Sequence, residues 1–298
     1  MEKRDFGNTG MQVTTLGYGA MELRHVDDAQ AERLLNGVLD AGINFIDTSP
    51  DYGPSEDLIG KFIAHRRNEY FLATKCGCNV PQTGGDDAPR HIWTGAQVRH
   101  NIEHSLQRLK TDYVDVWQVH SADPDELAQS DVLETMLKIK DEGKVRHIAV
   151  SMSGRGDGHG YGQLRPYLDG DWDAFEAIQV WYSALTRASE NAMTEAANRG
   201  KGMIIRGVVR RIDPYASVED FAAQTGLSDL YPRSENAAQF LLRYAISHPA
   251  LHTTIIGTKS LDHLNDNIKA VEAGPLAPDV LAEAKRRLAT AGIGPMGE

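Results

Sequence analysis

The sequence predicts an α/β fold, a (β/α)8 TIM barrel with an N-terminal β-hairpin. Three observations support this. Eight short β-rich runs occur along the chain, each followed by a helical pattern. Several helical patterns end in glycine just before the next run, where a left-handed residue can reverse the chain. Successive runs also end on a polar residue, and in a barrel such ends share one mouth. No change in composition divides the series, so residues 1–298 are expected to form one barrel domain rather than two domains.

Residues 2–13, with GNTG at their centre, read as a short hairpin ahead of the first barrel strand. The strands are expected in TTLGYG, INFID, FLATK, YVDVWQVH, RHIAVS, AIQVWY, GMIIRG and TTIIGT. Between them apolar doublets recur one helical turn apart, the stripe of a helix packed on one face. They are Leu34, Leu35, Val38 and Leu39; Leu58, Ile59, Phe62 and Ile63; Val132, Leu133, Met136 and Leu137; and Phe240, Leu241, Tyr244 and Ala245. Thr94 and Gln97 have the spacing of a capping box that opens a helix through Leu109. Gly42, Gly143 and the pair Gly200 and Gly202 punctuate helix-to-strand turns. Residues 207–233 form a long connection with a short helical piece around Val218–Ala223, and connections of this length are often functional. The competing topology is an open, doubly wound sheet. It would need a G-x-G-x-x-G turn or a P-loop. The GRGDGHGYG stretch at 154–162 has the wrong glycine spacing, and no helix is expected to follow it at once.

The chain has 298 residues, 41% of them hydrophobic and 24% charged, within the range of a soluble globular protein. Its 31 basic and 42 acidic residues give a net charge of −11, and no basic stripe suggests a nucleic-acid partner. The first ten residues lack an apolar segment, so no secretory signal is expected. No run is long enough for a transmembrane helix, so no membrane partner is expected. Cys76 and Cys78 are too close in sequence to staple distant parts of the fold, and a reducing cytoplasm is the simplest compartment. Nothing in the pattern selects an oligomeric state.

Asp47, Lys75, His120 and Ser151 fall at the ends of successive strands, Gln179 lies on the sixth, Arg206 ends the seventh, and Gly257 and Thr258 end the eighth. Tyr52 follows Asp47 in a Pro- and Gly-rich turn. A free phenol is a poor acid at neutral pH, and a neighbouring ammonium lowers its pKa. Lys75 supplies that charge, Asp47 balances it, and His120 orients a substrate oxygen. Tyr52 then gives a proton to an oxygen that becomes negative, which suits carbonyl reduction. No side chain delivers hydride, so a nicotinamide is implied.

At these residues the sequence resembles the aldo-keto reductase superfamily. The motifs are GINFIDTSPDYGPSEDLIG at 42–60, LATK at 72–75, DYVDVWQVH at 112–120, GKVRHIAVS at 143–151 and TTIIGTKSLDHLNDN at 253–267. The resemblance implies a barrel that holds its nicotinamide without a Rossmann motif, and a tetrad of Asp47, Tyr52, Lys75 and His120. Tyr52 would be the acid in reduction and the base in oxidation. Ser151 and Gln179 would hold the carboxamide. Ala20, Met21, Asp47, Arg206 and Gly207 would complete the cofactor site at the mouth. Gly257, Thr258, Lys259, His263, Asp266 and Asn267 would line its adenosine end. A helix starting near Ser260 also favours a phosphate there.

Three departures from that pattern matter. Met152 stands where the family usually has asparagine, so Ser151 loses a partner for the carboxamide. Arg206 replaces an aromatic residue that stacks on the nicotinamide, and its charge favours the reduced ring. His263 replaces a common phosphate-binding arginine, with Lys259 available for a 2′-phosphate. NADPH (NADP+) is therefore the expected cofactor and NADH the alternative, with a small-molecule carbonyl as substrate.

Other readings are available. Met152 and Arg206 also suit a nicotinamide-nucleotide-sensing binding protein with little turnover. His120, Asp123, His147 and His159 raise a metal-dependent hydrolase, but no H-x-H follows the first strand and His147 lies inside a strand, so no metal is expected. The CGC at 76–78 reads as small buried thiols rather than a metal site. Trp93 anchors its loop or walls the substrate pocket. Asp86, Asp87, Arg90 and His91 would make that wall hydrophilic and suit a sugar-like carbonyl.

Overall fold

The structure, a computed structural model, describes residues 1–81, 89–152, 161–210 and 214–297. Asp86, Asp87, His159 and the glycines at 154–160 lie outside the described residues. Strands β1 (Lys3–Asp5) and β2 (Gln12–Thr14) form the expected antiparallel hairpin, with Lys3 opposite Thr14. Eight parallel strands then close a barrel. They are β3 (Leu16–Gly19), β4 (Phe45–Asp47), β5 (Phe71–Cys76), β6 (Val114–His120), β7 (Val145–Ser151), β8 (Ala177–Trp181), β9 (Gly202–Arg206) and β10 (Thr253–Ile256). Each pairs with the next in chain order, and β10 returns to β3.

The helices are α1 (Asp28–Asp40), α2 (Ser55–Phe62), α3 (Gly95–Leu109), α4 (Pro124–Ala128), α5 (Val132–Asp141), α6 (Tyr161–Asp169), α7 (Glu190–Asn198), α8 (Val218–Gln224), α9 (Ala237–Ile246), α10 (Leu261–Glu272) and α11 (Pro278–Thr290). Gly42, Gly143 and Gly200 take the positive φ that the turns from α1, α5 and α7 require. None of the described helices is long and apolar enough to cross a membrane.

Several details differ from expectation. Thr94 caps α3 by accepting from the Gln97 N–H, but the Gln97 side chain donates to the Cys78 carbonyl at 2.6 Å instead of completing a box. The carbonyl just past β5 is the more demanding acceptor, because Cys78 is buried. Leu137 is 40% exposed, so the packed stripe of α5 runs through Val132, Met136 and Ile139. Helix α6 starts at Tyr161, inside the glycine-rich stretch, whereas no immediate helix was expected. Strand β5 continues one residue past Lys75, and β10 stops before Gly257.

The strand alternation builds two layers inside the barrel. Phe45, Ala73, Val116, Ala149, Ala177 and Ile204 form an apolar floor with Phe6 and Val13 of the hairpin region. Phe6 plugs it, and a Cβ at Gly202 would lie 2.5 Å from its ring. Two residues further along each strand come Asp47, Lys75, Gln118, Ser151, Gln179 and Arg206. A period of two keeps both sets on the same inward face. His120 lies one step beyond Gln118.

Candidate active site

The polar layer is centred on a buried ion pair. Lys75 Nζ donates to both Asp47 oxygens at 2.5 and 2.6 Å and to the Thr48 carbonyl at 2.8 Å. The side chains are 0% and 1% exposed. Gln118 and Gln179 each donate an amide hydrogen to the Asp47 carboxylate, at 3.2 and 3.1 Å, and Gln179 also donates to the Gln118 carbonyl. Ser151 donates to the Gln179 carbonyl oxygen at 3.1 Å. Burial alone would lower the Lys75 pKa. Asp47 and Tyr52 outweigh it and raise the lysine pKa. The lysine is therefore a fixed positive charge under the mouth.

Tyr52 sits above it on the turn between β4 and α2, with its ring centroid 5.0 Å from Lys75 Nζ. The His120 ring meets it edge-on at 6.3 Å between centroids. The structure thus brings Asp47, Tyr52, Lys75 and His120 together. Lys75 does pull the Tyr52 pKa down, as expected, but the net shift is upward. Burial raises it, and the opposing pull of Lys75 and Arg206 does not cancel that effect. Burial, with Lys75, His91 and Arg206, pushes the His120 pKa well down. The imidazole is neutral and offers one ring N–H as a hydrogen-bond donor.

A cleft of about 450 Å³ opens at this layer, with Met21, Asp47, Tyr52, Gln179, Arg206, Gly207 and Gly257 among its lining residues. These seven came from the sequence. Arg206 Nη2 donates to the Met152 carbonyl at 2.5 Å, and its guanidinium lies 5.0 Å from the Trp181 ring. Met152 is buried and contributes its backbone to that contact. Gly207 has φ +81°, and a Cβ there would clash with Trp181. A Cβ on Gly257 would come 3.1 Å from the Gly19 carbonyl, so glycine lets the wall close there.

The remaining expected cofactor residues lie around or behind this cleft. Ala20 is buried, with its carbonyl accepting from Ser55. The Thr258 carbonyl accepts from the Tyr18 hydroxyl at 2.9 Å. Ser260 caps α10 by accepting from the His263 N–H. Lys259 and His263 are exposed at that helix start, while Asp266 and Asn267 are half-buried on its next turn. Asp266 pairs with Lys269 at 3.2 Å. A cleft with amide donors and arginines at one end, and an exposed lysine beside a helix N-terminus nearby, fits an anionic dinucleotide.

Gln118, Trp181 and Arg210 were missed. Gln118 was legible, being two residues before His120 on the same face. The Trp181 and Arg210 contact, 5.2 Å from guanidinium to ring, joins distant residues. Among the described residues, His147 and Asp123 of the hydrolase constellation are engaged elsewhere. His147 pairs with Glu176 at 2.8 Å, and Asp123 caps α4. Trp93 stacks on His91 at 5.4 Å over Gly77, whose Cβ would meet the indole at 1.9 Å. It therefore anchors the loop and braces His91, which meets the His120 ring edge-on at 4.9 Å.

The profile of the Aldo/keto reductase family matches residues 15–210. The uncharacterized oxidoreductase YqkF of Bacillus subtilis is 25% identical over 304 aligned residues, which cover 94% of each chain. L-galactose dehydrogenase of Arabidopsis thaliana is 37% identical over 51% of this chain and 48% of its own. The holo form of aldo-keto reductase AKR11C1 from Bacillus halodurans superimposes with a TM-score of 0.81 at 28% identity, covering 97% of this chain and 96% of that one. With eight parallel strands closed into a barrel and these matches along its length, the chain belongs to the aldo/keto reductase family of oxidoreductases.

Proposed function

We propose that this protein reduces a small-molecule aldehyde or ketone to an alcohol with NADPH, Tyr52 acting as general acid, and with NADH as the alternative donor. The observation that carries this reading is the buried Asp47–Lys75 pair directly beneath the Tyr52 ring at the cleft wall. A nicotinamide held at this cleft would supply hydride chemistry, which none of the side chains provides. Tyr52 gives its phenolic proton to the carbonyl oxygen, and solvent returns a proton to the phenolate. Lys75 stabilises that phenolate, and Asp47 keeps the ammonium in place. Neutral His120 donates a hydrogen bond to the same oxygen. Gln179 and Ser151 hold the carboxamide, and Lys259 with the start of α10 favours a phosphate. The two free, buried thiols are consistent with a reducing compartment such as the cytoplasm.

A nucleotide sensor with little turnover is the competing reading. Arg206 favours it, because Met152 and Trp181 hold its charge at the cleft wall. One experiment separates them. NADPH and NADH consumption is followed over a panel of aldehydes, diketones and sugars, with nucleotide binding read by tryptophan quenching. Turnover is expected in the parent. Tyr52→Phe should lose about 10²–10⁴-fold, the usual worth of a positioned proton donor, with quenching retained. Parent-level turnover in Tyr52→Phe would refute the acid, and binding without turnover in the parent would favour the sensor.

A further inference from the structure

Beside the tetrad, four side chains from three separate segments converge on one point. The ligand atoms of Asp51, Cys78, His91 and His120 all lie within 4.8 Å of one another. Cys78 Sγ is 3.4 Å from His120 Nδ1, and Asp51 Oδ2 is 3.7 Å from the same nitrogen. In a tetrahedral zinc site with bonds of about 2.0–2.3 Å, ligand atoms stand roughly 3.3–3.8 Å apart. Two of the separations already match, and none of the rest exceeds 4.8 Å, so closure of at most about 1.5 Å completes the site.

The positions are also held from behind. Cys78 and His91 face each other across an antiparallel backbone bridge. The Cys78 carbonyl accepts from Gln97 and Asn101 at 2.6 and 3.0 Å. The Ile92 N–H donates to the Gly77 carbonyl at 2.8 Å. Trp93 stacks on the His91 ring. Ser49 donates to Asp51 Oδ1 at 2.5 Å, which leaves Oδ2 as the oxygen facing His120. Asp51 adjoins Tyr52, so the cluster lies against the proposed catalytic groups.

We propose that Asp51, Cys78, His91 and His120 form a binding site for a zinc-class divalent ion, and that occupancy stops carbonyl reduction by engaging His120. One thiolate, two imidazoles and one carboxylate are the donor set of a borderline-soft ion rather than of magnesium or calcium. Binding displaces the Cys78 thiol proton to solvent, as zinc does to ligating thiols. Coordination through Nδ1 holds the His120 ring on the Asp51 and Cys78 side, so the ring can no longer turn its N–H to follow the substrate oxygen. The ion site stands on geometry alone, whereas the block of turnover rests on the proposed function.

The test titrates the full chain, free of cofactor, with cobalt(II) as a spectroscopic stand-in. A single equivalent should give tetrahedral visible bands and a thiolate charge-transfer band, and zinc should displace both. The charge-transfer band should vanish in Cys78→Ser and persist in Cys76→Ser. His91→Ala and Asp51→Asn should weaken binding by at least about tenfold, since loss of even an outer partner of a metal costs that much. Zinc should slow carbonyl reduction by the parent, a chelator should restore it, and His91→Ala should need at least about tenfold more zinc for the same slowing. No charge-transfer band in the parent, or one that survives Cys78→Ser, would overturn the site. A band without any slowing of turnover would overturn the block and count against His120 in catalysis.

Discussion

The floor and the mouth of this barrel are built on the same strands, two residues apart, and obey opposite rules. At the floor, Phe45, Ala73, Val116, Ala149, Ala177 and Ile204 bury apolar surface around Phe6. At the mouth, Asp47, Lys75, Gln118, Ser151, Gln179 and Arg206 occupy the next inward positions. The floor gains stability from every atom it buries. The mouth takes the Asp47 and Lys75 charges out of water and offsets the cost through mutual pairing, the Thr48 carbonyl and the amides around them. The lesson is that one face of one sheet can be divided, within a single step of its period, into a layer that stabilises and a layer that reacts.

The sharpest way to break that comparison is to damage each layer in turn. Lys75→Met should destabilise the protein by about 3–5 kcal/mol, because it leaves the Asp47 carboxylate buried without its counter-charge. It should also abolish turnover. The double variant Asp47→Asn with Lys75→Met should regain most of that stability without regaining turnover, since a buried pair replaced as a unit costs little. Phe6→Ala at the floor should cost about 3–5 kcal/mol through the cavity it leaves, while turnover per folded molecule stays near the parent's. Chemical denaturation paired with rates measured on the same samples decides the matter. A double variant as unstable as Lys75→Met would show that the pair is needed for the fold.

The division also explains what was legible in the sequence. The barrel could be read because its strands are short apolar runs set off by glycine turns, and both signals are local. The mouth could be read because strand ends are positions with a fixed sense in a barrel, so Asp47, Lys75, His120 and Ser151 named themselves by place, while Gln179 took its role from the family resemblance. Gln118 obeys the same period and was overlooked only because it lies one step inside the strand end. The Tyr52 pKa was misjudged because a nearby charge is visible in a sequence, while the burial that outweighs it is not. The bridge between Cys78 and His91, and the Trp181 shelf under Arg206 and Arg210, join residues whose separation carries no periodic signal. Only the start of helix α6 escaped, because it lies in a glycine-rich stretch that local propensity reads as loop.

Acid should weaken the floor end through His252. His252, beside the Phe6 ring, accepts a hydrogen bond from the Met203 N–H through Nδ1 at 2.8 Å. Burial and the Arg4 charge hold its pKa down to about 4, against 6.5 for a free imidazole. The unfolded chain therefore takes up the proton first. The contribution of this neutral ring is fully present above about pH 6.5 and is lost as the pH falls toward 4, by at most about 1.4 kcal/mol per unit. In His252→Asn, the amide oxygen can accept the Met203 bond at any pH, so this slope should flatten. Stability measured at intervals from pH 7 to 4 tests it, and an unchanged slope would place the acid sensitivity elsewhere.

The smallest expected effect tests how finely the mouth is tuned. Ser151 donates to the Gln179 carbonyl, and Gln179 in turn donates to Asp47 and to Gln118. Ser151→Ala removes one neutral hydrogen bond and leaves the Gln179 oxygen short of a donor. The stability change should be about 1 kcal/mol, the net worth of such a bond. If the chain of bonds from Ser151 through Gln179 to Asp47 positions the carboxamide of a nicotinamide, the affinity for NADPH should fall several-fold while the maximal rate changes less. A variant that lost stability but kept its nucleotide affinity would make the serine a support for the amide layer alone. The polar layer would then hold the ion pair in place without taking part in binding.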